Sequence, residues 1–94
     1  MDDDRVMMQN PNTGRDDMRI SRAMYEPVRA AILDAIDEAG VLPFAELRAE
    51  VEKRTPPEMW ADASVGWYTT TVKLDLEAKG LIVKEGSPQQ LRLG

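Results

Sequence analysis

The chain breakers of this sequence constrain its fold more than its composition does. Gly40, Pro43, Thr55-Pro56-Pro57 and Gly80 stand where a helix cannot run on, and Glu85-Gly86-Ser87-Pro88 marks a tight reversal. Helical patterns fill the spaces before Gly80. After it, only two short alternating runs remain, Leu81-Ile82-Val83-Lys84 and Gln89-Gln90-Leu91-Arg92-Leu93. An isolated hairpin of that size is marginal in water and needs a helical layer to bury one face. The breakers therefore call for helices first and a small sheet closing over them.

The first helix is expected from Pro27 to Ala39, with Val28, Ala31, Ile32, Ala35 and Ile36 at the three-and-four spacing of one buried stripe. Ser21 offers an earlier cap that carries the helix through Met24 and Tyr25, with Pro27 then introducing a kink. Gly40 ends it. Val41-Leu42 reads as one extended rung. Pro43 opens a second helix to Arg54 with Phe44, Leu47 and Val51 on its buried side. Met59 and Trp60 are large apolar residues for a connector, and packing across the gap between helices accounts for them. A third helix runs from Ser64 to Lys79, capped by Asp62 or Ser64 and closed by Gly80. In the closing hairpin, Leu81 and Val83 are expected to face the core with Leu91 and Leu93, leaving Lys84, Gln90 and Arg92 outward.

This order gives an α+β fold: three helices plus a small antiparallel sheet with a C-terminal β-hairpin. That is a winged helix-turn-helix, with Val41-Leu42 as the third strand and Leu81–Leu93 as the wing. It occupies residues 21–94. Residues 1–20, with turn formers at Asn10-Pro11-Asn12-Thr13-Gly14 and no helical periodicity, read as a flexible acidic arm. Met7, Met8 and Met18 give that arm apolar content with which to dock on a partner or on its own domain.

The segment Gly66-Trp67-Tyr68-Thr69-Thr70-Thr71-Val72-Lys73-Leu74-Asp75-Leu76-Glu77-Ala78-Lys79-Gly80-Leu81-Ile82 is the most distinctive stretch. Its latter half resembles the end of the recognition helix in bacterial winged helix-turn-helix transcriptional regulators. The whole string is similar to a small uncharacterised bacterial family of winged-helix-like proteins, and Leu91-Arg92-Leu93 matches that family's wing-strand ending. The resemblance spans residues 27–94 and is sharp over 64–93. It implies the fold more strongly than any activity, because winged helices serve both nucleic-acid and protein partners.

Composition narrows the chemistry. The chain has no histidine and no cysteine, which removes imidazole bases, thiolate nucleophiles and the usual metal ligands. Its glycines are isolated, so no phosphate loop is present, and Ser21, Ser64 and Ser87 lack an activating base. Asp2-Asp3-Asp4 lacks the spacing of a calcium loop. The expectation is a non-enzyme with no cofactor, no metal and no small-molecule substrate. The acidic start and the lack of a long apolar run point to a cytoplasmic protein without a membrane partner.

The net charge of −5 is unevenly placed. Residues 64–94 set Lys73, Lys79, Lys84 and Arg92 against only Asp75, Glu77 and Glu85, so the acidity lies upstream. On the third helix, Val65, Tyr68, Thr69, Val72 and Leu76 share the buried side, while Trp67, Thr70, Leu74 and Ala78 fall opposite. Two functions follow. In the first, the chain is a regulator-type module that binds double-stranded DNA as a dimer. Thr70, Thr71 and Lys73 then lie nearest the groove, with Lys84 and Arg92 on phosphates. In the second, it is an interaction module whose outer helix face, marked by Trp67 and Leu74, binds a protein partner or a second copy. The alternative for Trp67 and Leu74 is burial, in a third helix packed nearly all round.

Overall fold

In the computed structural model, residues 5–10 and 15–94 are described, with side chains described from Ser21 onward. Two strands, β1 (Arg5–Asn10) and β2 (Arg15–Ser21), precede helix α1 (Arg22–Ala39). Strand β3 (Leu42–Pro43), helix α2 (Phe44–Arg54), a 3₁₀ turn (Pro57–Trp60) and helix α3 (Val65–Ala78) follow. Strands β4 (Ile82–Glu85) and β5 (Gln90–Leu93) complete the order.

Ser21 decides where α1 starts. Its side chain accepts the Met24 N–H at 3.3 Å, which places the helix start upstream of Pro27. Pro27 therefore sits in the second turn, where its ring nitrogen gives up the bond to the Ala23 carbonyl. The expected stripe of Val28, Ala31, Ile32, Ala35 and Ile36 is buried, joined by Tyr25. Gly40, at φ 77°, takes the left-handed conformation that ends the helix. In α2, Leu47 and Val51 are fully buried, and Phe44 packs on the core from its edge. Thr55 closes α2 by donating its hydroxyl to the Val51 carbonyl at 2.7 Å and accepting the Trp60 indole N–H at 2.9 Å. That pair of bonds, with Met59 and Trp60 packed on the core, explains the large apolar residues of the connector.

Strand β5 lies in the middle of a three-stranded antiparallel sheet of order β3-β5-β4. Leu42 faces Leu91, and both are buried. Among the described residues the architecture is α+β: three helices and a three-stranded sheet with a C-terminal hairpin, the arrangement of a winged helix.

The structure corrects one reading of the sequence, the phase of β4. Ile82 pairs with Leu93 and Lys84 with Leu91, and directly opposed residues share a face. Leu91 is fully buried, so Ile82 and Lys84 take the helix-facing side, with Ile82 2% exposed and Leu81 37% exposed. The phase is set at the end of α3, where Gly80 at φ 76° lets the Leu81 N–H reach back to the Leu76 carbonyl at 2.9 Å. This consumes Leu81 as part of the helix cap and passes the inward position to Ile82.

Within residues 1–20, the described residues form an antiparallel pair, with Val6 opposite Ile20 and Met8 opposite Met18. Strand β1 runs alongside α3, and β2 ends on Ser21, the cap of α1.

Candidate functional site

The helix with the distinctive sequence, α3, is covered on several sides. It packs against α1, α2, β1 and β4. Ser64 starts it by accepting the Trp67 N–H at 3.1 Å. Val65, Thr69, Val72 and Leu76 form the expected buried side, but Lys73 and Asp75 are buried as well.

Each buried charge belongs to a cluster on one flank of the helix. Toward α1, the Tyr25 hydroxyl donates to Asp75 Oδ2, and Lys79 Nζ donates to the same oxygen at 2.9 Å. Lys79 also stands 5.4 Å from the centre of the Tyr25 ring. Burial, reinforced by the hydrogen bond to Asp75, pushes the Tyr25 hydroxyl above its ordinary pKa of 10.0. Burial works against the charge of Lys79, but the Asp75 carboxylate outweighs it and the ammonium titrates higher than usual. On the other flank, Lys73 Nζ stands 2.7 Å from Glu77 Oε1 and 4.5 Å from the centre of the Phe44 ring. Lys84 reaches from β4 to within 3.7 Å of Glu77 Oε2.

The residues expected at a nucleic-acid surface do not share one exposed face, although Lys73 and Lys84 meet at Glu77. Thr70 is exposed and Thr71 half-buried. Lys73 does not present its side chain at a surface: it is 4% exposed and held against Glu77 and Phe44. The reason is that α3 is lined on several sides, so a position outside the apolar stripe still points inward. Lys84 and Arg92 are exposed on the wing, on opposite faces of the sheet, and Arg92 Nε lies 3.4 Å from Glu85 Oε1. Trp67 remains 47% exposed, edge-on to Tyr68 at 4.9 Å, whereas Leu74 is half-buried. The burial alternative therefore holds for Leu74 in part and fails for Trp67.

The Tyr25–Asp75–Lys79 cluster was missed by sequence reasoning. Asp75 and Lys79, four residues apart on one helix, were a legible pair. Nothing in the sequence marked Tyr25 as their partner. A cleft of about 320 Å³ lies between the end of α1 and α2, crossed by Arg54, which bonds Glu38 at 2.8 Å and Glu50 at 3.1 Å. These groups satisfy one another. Among the described residues no group of histidine, cysteine or carboxylates is placed to hold a metal, and no helix is long and apolar enough to cross a membrane.

The helical layer, the β3-β5-β4 sheet and the closing hairpin define a protein of winged-helix-like topology. This chain belongs to the family described as a family of unknown function (DUF6958), whose model matches residues 5–93. The matched span takes in both N-terminal strands. Neither the comparison with curated proteins nor that with solved structures returned a match.

Proposed function

We propose that this chain is a non-catalytic winged-helix interaction module that engages protein through the exposed end of α3 around Trp67, and that it does not read DNA. The observation carrying this is the pairing of every base in residues 64–94 with an acid of the same segment. Lys73 and Lys84 meet Glu77, Lys79 meets Asp75 and Arg92 meets Glu85. All four bases are thereby engaged within the segment, although four bases on three acids still leave it one positive charge, and a duplex would have to compete for them. Trp67 supplies what a protein partner uses: a rigid, half-exposed aromatic side chain backed by Tyr68.

The DNA reading keeps Thr70, Lys84 and Arg92 as its exposed residues. The two readings separate in a titration of the chain into labelled duplex at low ionic strength. The interaction reading expects no salt-sensitive binding. Binding that weakens steeply with added salt overturns it in favour of DNA.

A further inference from the structure

We propose that β4 is a strand-addition edge that pairs, antiparallel and about a two-fold axis, with β4 of a second copy of this chain. The inference does not depend on what Trp67 binds.

The hydrogen-bonding phase of the sheet shows which groups the edge offers. The Gly94 N–H donates to the Leu81 carbonyl at 2.9 Å, which makes Leu81 and Gly94 a hydrogen-bonded pair. Such pairs alternate along an antiparallel ladder, so Val83–Arg92 and Glu85–Gln90 are the next ones. The other side of β5 agrees: the Phe44 N–H donates to the Gln89 carbonyl at 3.0 Å, and Leu91 faces Leu42. The main-chain N–H and C=O of Ile82 and Lys84 therefore point away from β5. With sheet order β3-β5-β4, no strand of this sheet lies beyond them among the described residues. An edge of this kind is a template for another strand.

A side-chain observation marks the same edge. A cleft of about 330 Å³ runs along it, lined by Glu77, Gly80, Ile82, Val83 and Lys84. The Glu77 side chain is 7% exposed, yet neither of its carboxylate oxygens has a directed hydrogen bond among the described residues. Lys73 and Lys84 more than balance its single charge, yet neither completes its shell of donors. A buried carboxylate in that condition favours any further donor entering the cleft.

A second copy supplies both needs in one register. The outward groups belong to Ile82 and Lys84, and the two-fold register that uses both residues on each copy sets Ile82 against Lys84 of the second copy, and the reverse. The axis then passes through Val83, which meets its own counterpart. In this register no like charges face each other, and apolar Val83 meets apolar Val83 on the outer face. Lys84 of the second copy lies opposite Ile82, on the helix-facing side where Glu77 waits for a donor. The same patch serves both partners, as a two-fold contact requires. The edge is short, so the association is weak, on the order of micromolar or above in Kd.

The test is sedimentation equilibrium of the full chain up to about 1 mM, with charge placed on the axis. The wild-type chain is expected to reach the mass of two chains. Val83→Lys and Val83→Glu, which put like charges directly opposite, each stay at the mass of one. Their equimolar mixture regains the mass of two, and Val83→Thr behaves as the wild type. Circular dichroism reports whether each variant is folded. A wild-type chain that stays single, a Val83→Lys chain that dimerises like the wild type, or a folded mixture that stays single overturns the proposal. A dimer abolished by Trp67→Ala but kept by Val83→Lys also overturns it and moves the contact to α3.

Discussion

The Tyr25 hydroxyl, in the first turn of α1, donates to a carboxylate of Asp75 that is fully buried fifty residues further along the chain. This bond ties the start of the first helix to the last turns of the third. It also gives a buried charge a neutral donor beside the Lys79 ammonium.

Removing that donor is costly because the acceptor stays behind. Tyr25→Phe keeps the ring and its packing but withdraws one hydrogen bond from a buried carboxylate. Stability is expected to fall by about 1–3 kcal/mol, read as a lower urea midpoint with unchanged slope. An unaltered midpoint would mean the bond contributes nothing net.

The same cluster sets an alkaline limit. Tyr25 and Lys79 both hold their protons more tightly when folded than their ordinary values of 10.0 and 10.5 imply. A raised folded pKa contributes stability that is complete below the unfolded value and is lost as pH climbs through the folded one. The melting temperature is therefore expected to hold steady up to about pH 9 and to decline above it. Tyr25→Phe should flatten part of that decline, and equal slopes for the two proteins would count against the assignment.

Lys73 separates a structural charge from a functional one. Lys73→Met takes the nearest cation away from the buried Glu77 carboxylate, 2.7 Å off, and is expected to cost about 3 kcal/mol. Adding Glu77→Gln should restore much of the loss, because the remaining polar group carries no charge. A melting temperature that ignores Lys73→Met would return this side chain to the surface.

Gly80 is the hinge of the helix-to-wing passage. At φ 76°, with open space where a side chain would project, its substitution meets backbone strain and no clash. Gly80→Ala is expected to lose about 1 kcal/mol and Gly80→Asn less, by thermal unfolding. Equal losses for the two would mean that something other than the left-handed conformation is at stake.

Much of this was legible in the residues. The apolar stripe of α1, the Ser64 cap and the glycine stops rest on local rules, and the structure follows them. The phase of β4 was not legible, because Leu81-Ile82-Val83 is apolar at every position and alternation gives no sign. It is fixed by a helix cap, a feature of α3 and not of the strand. The N-terminal pair was hidden for another reason. Val6-Met7-Met8 is apolar at every position and gives no alternation, while Met18 and Ile20 alternate with charged neighbours over too short a run. At the site, the burial of Lys73 and Asp75 was not legible, because four-residue spacing distinguishes one apolar face from the rest. It does not reveal how many sides of a helix are covered.

The sheet order has a consequence for how the protein is made. Its middle strand, β5, is synthesised after both of its neighbours, and Leu42 waits 49 residues for Leu91. Until β5 leaves the ribosome, β3 and β4 are two bare edges with no common partner. The sheet therefore cannot be assembled vectorially, strand by strand, as the chain emerges. A product cut short before Gln90 would carry all three helices yet leave both strands unpaired, open to wrong pairings and to proteolysis.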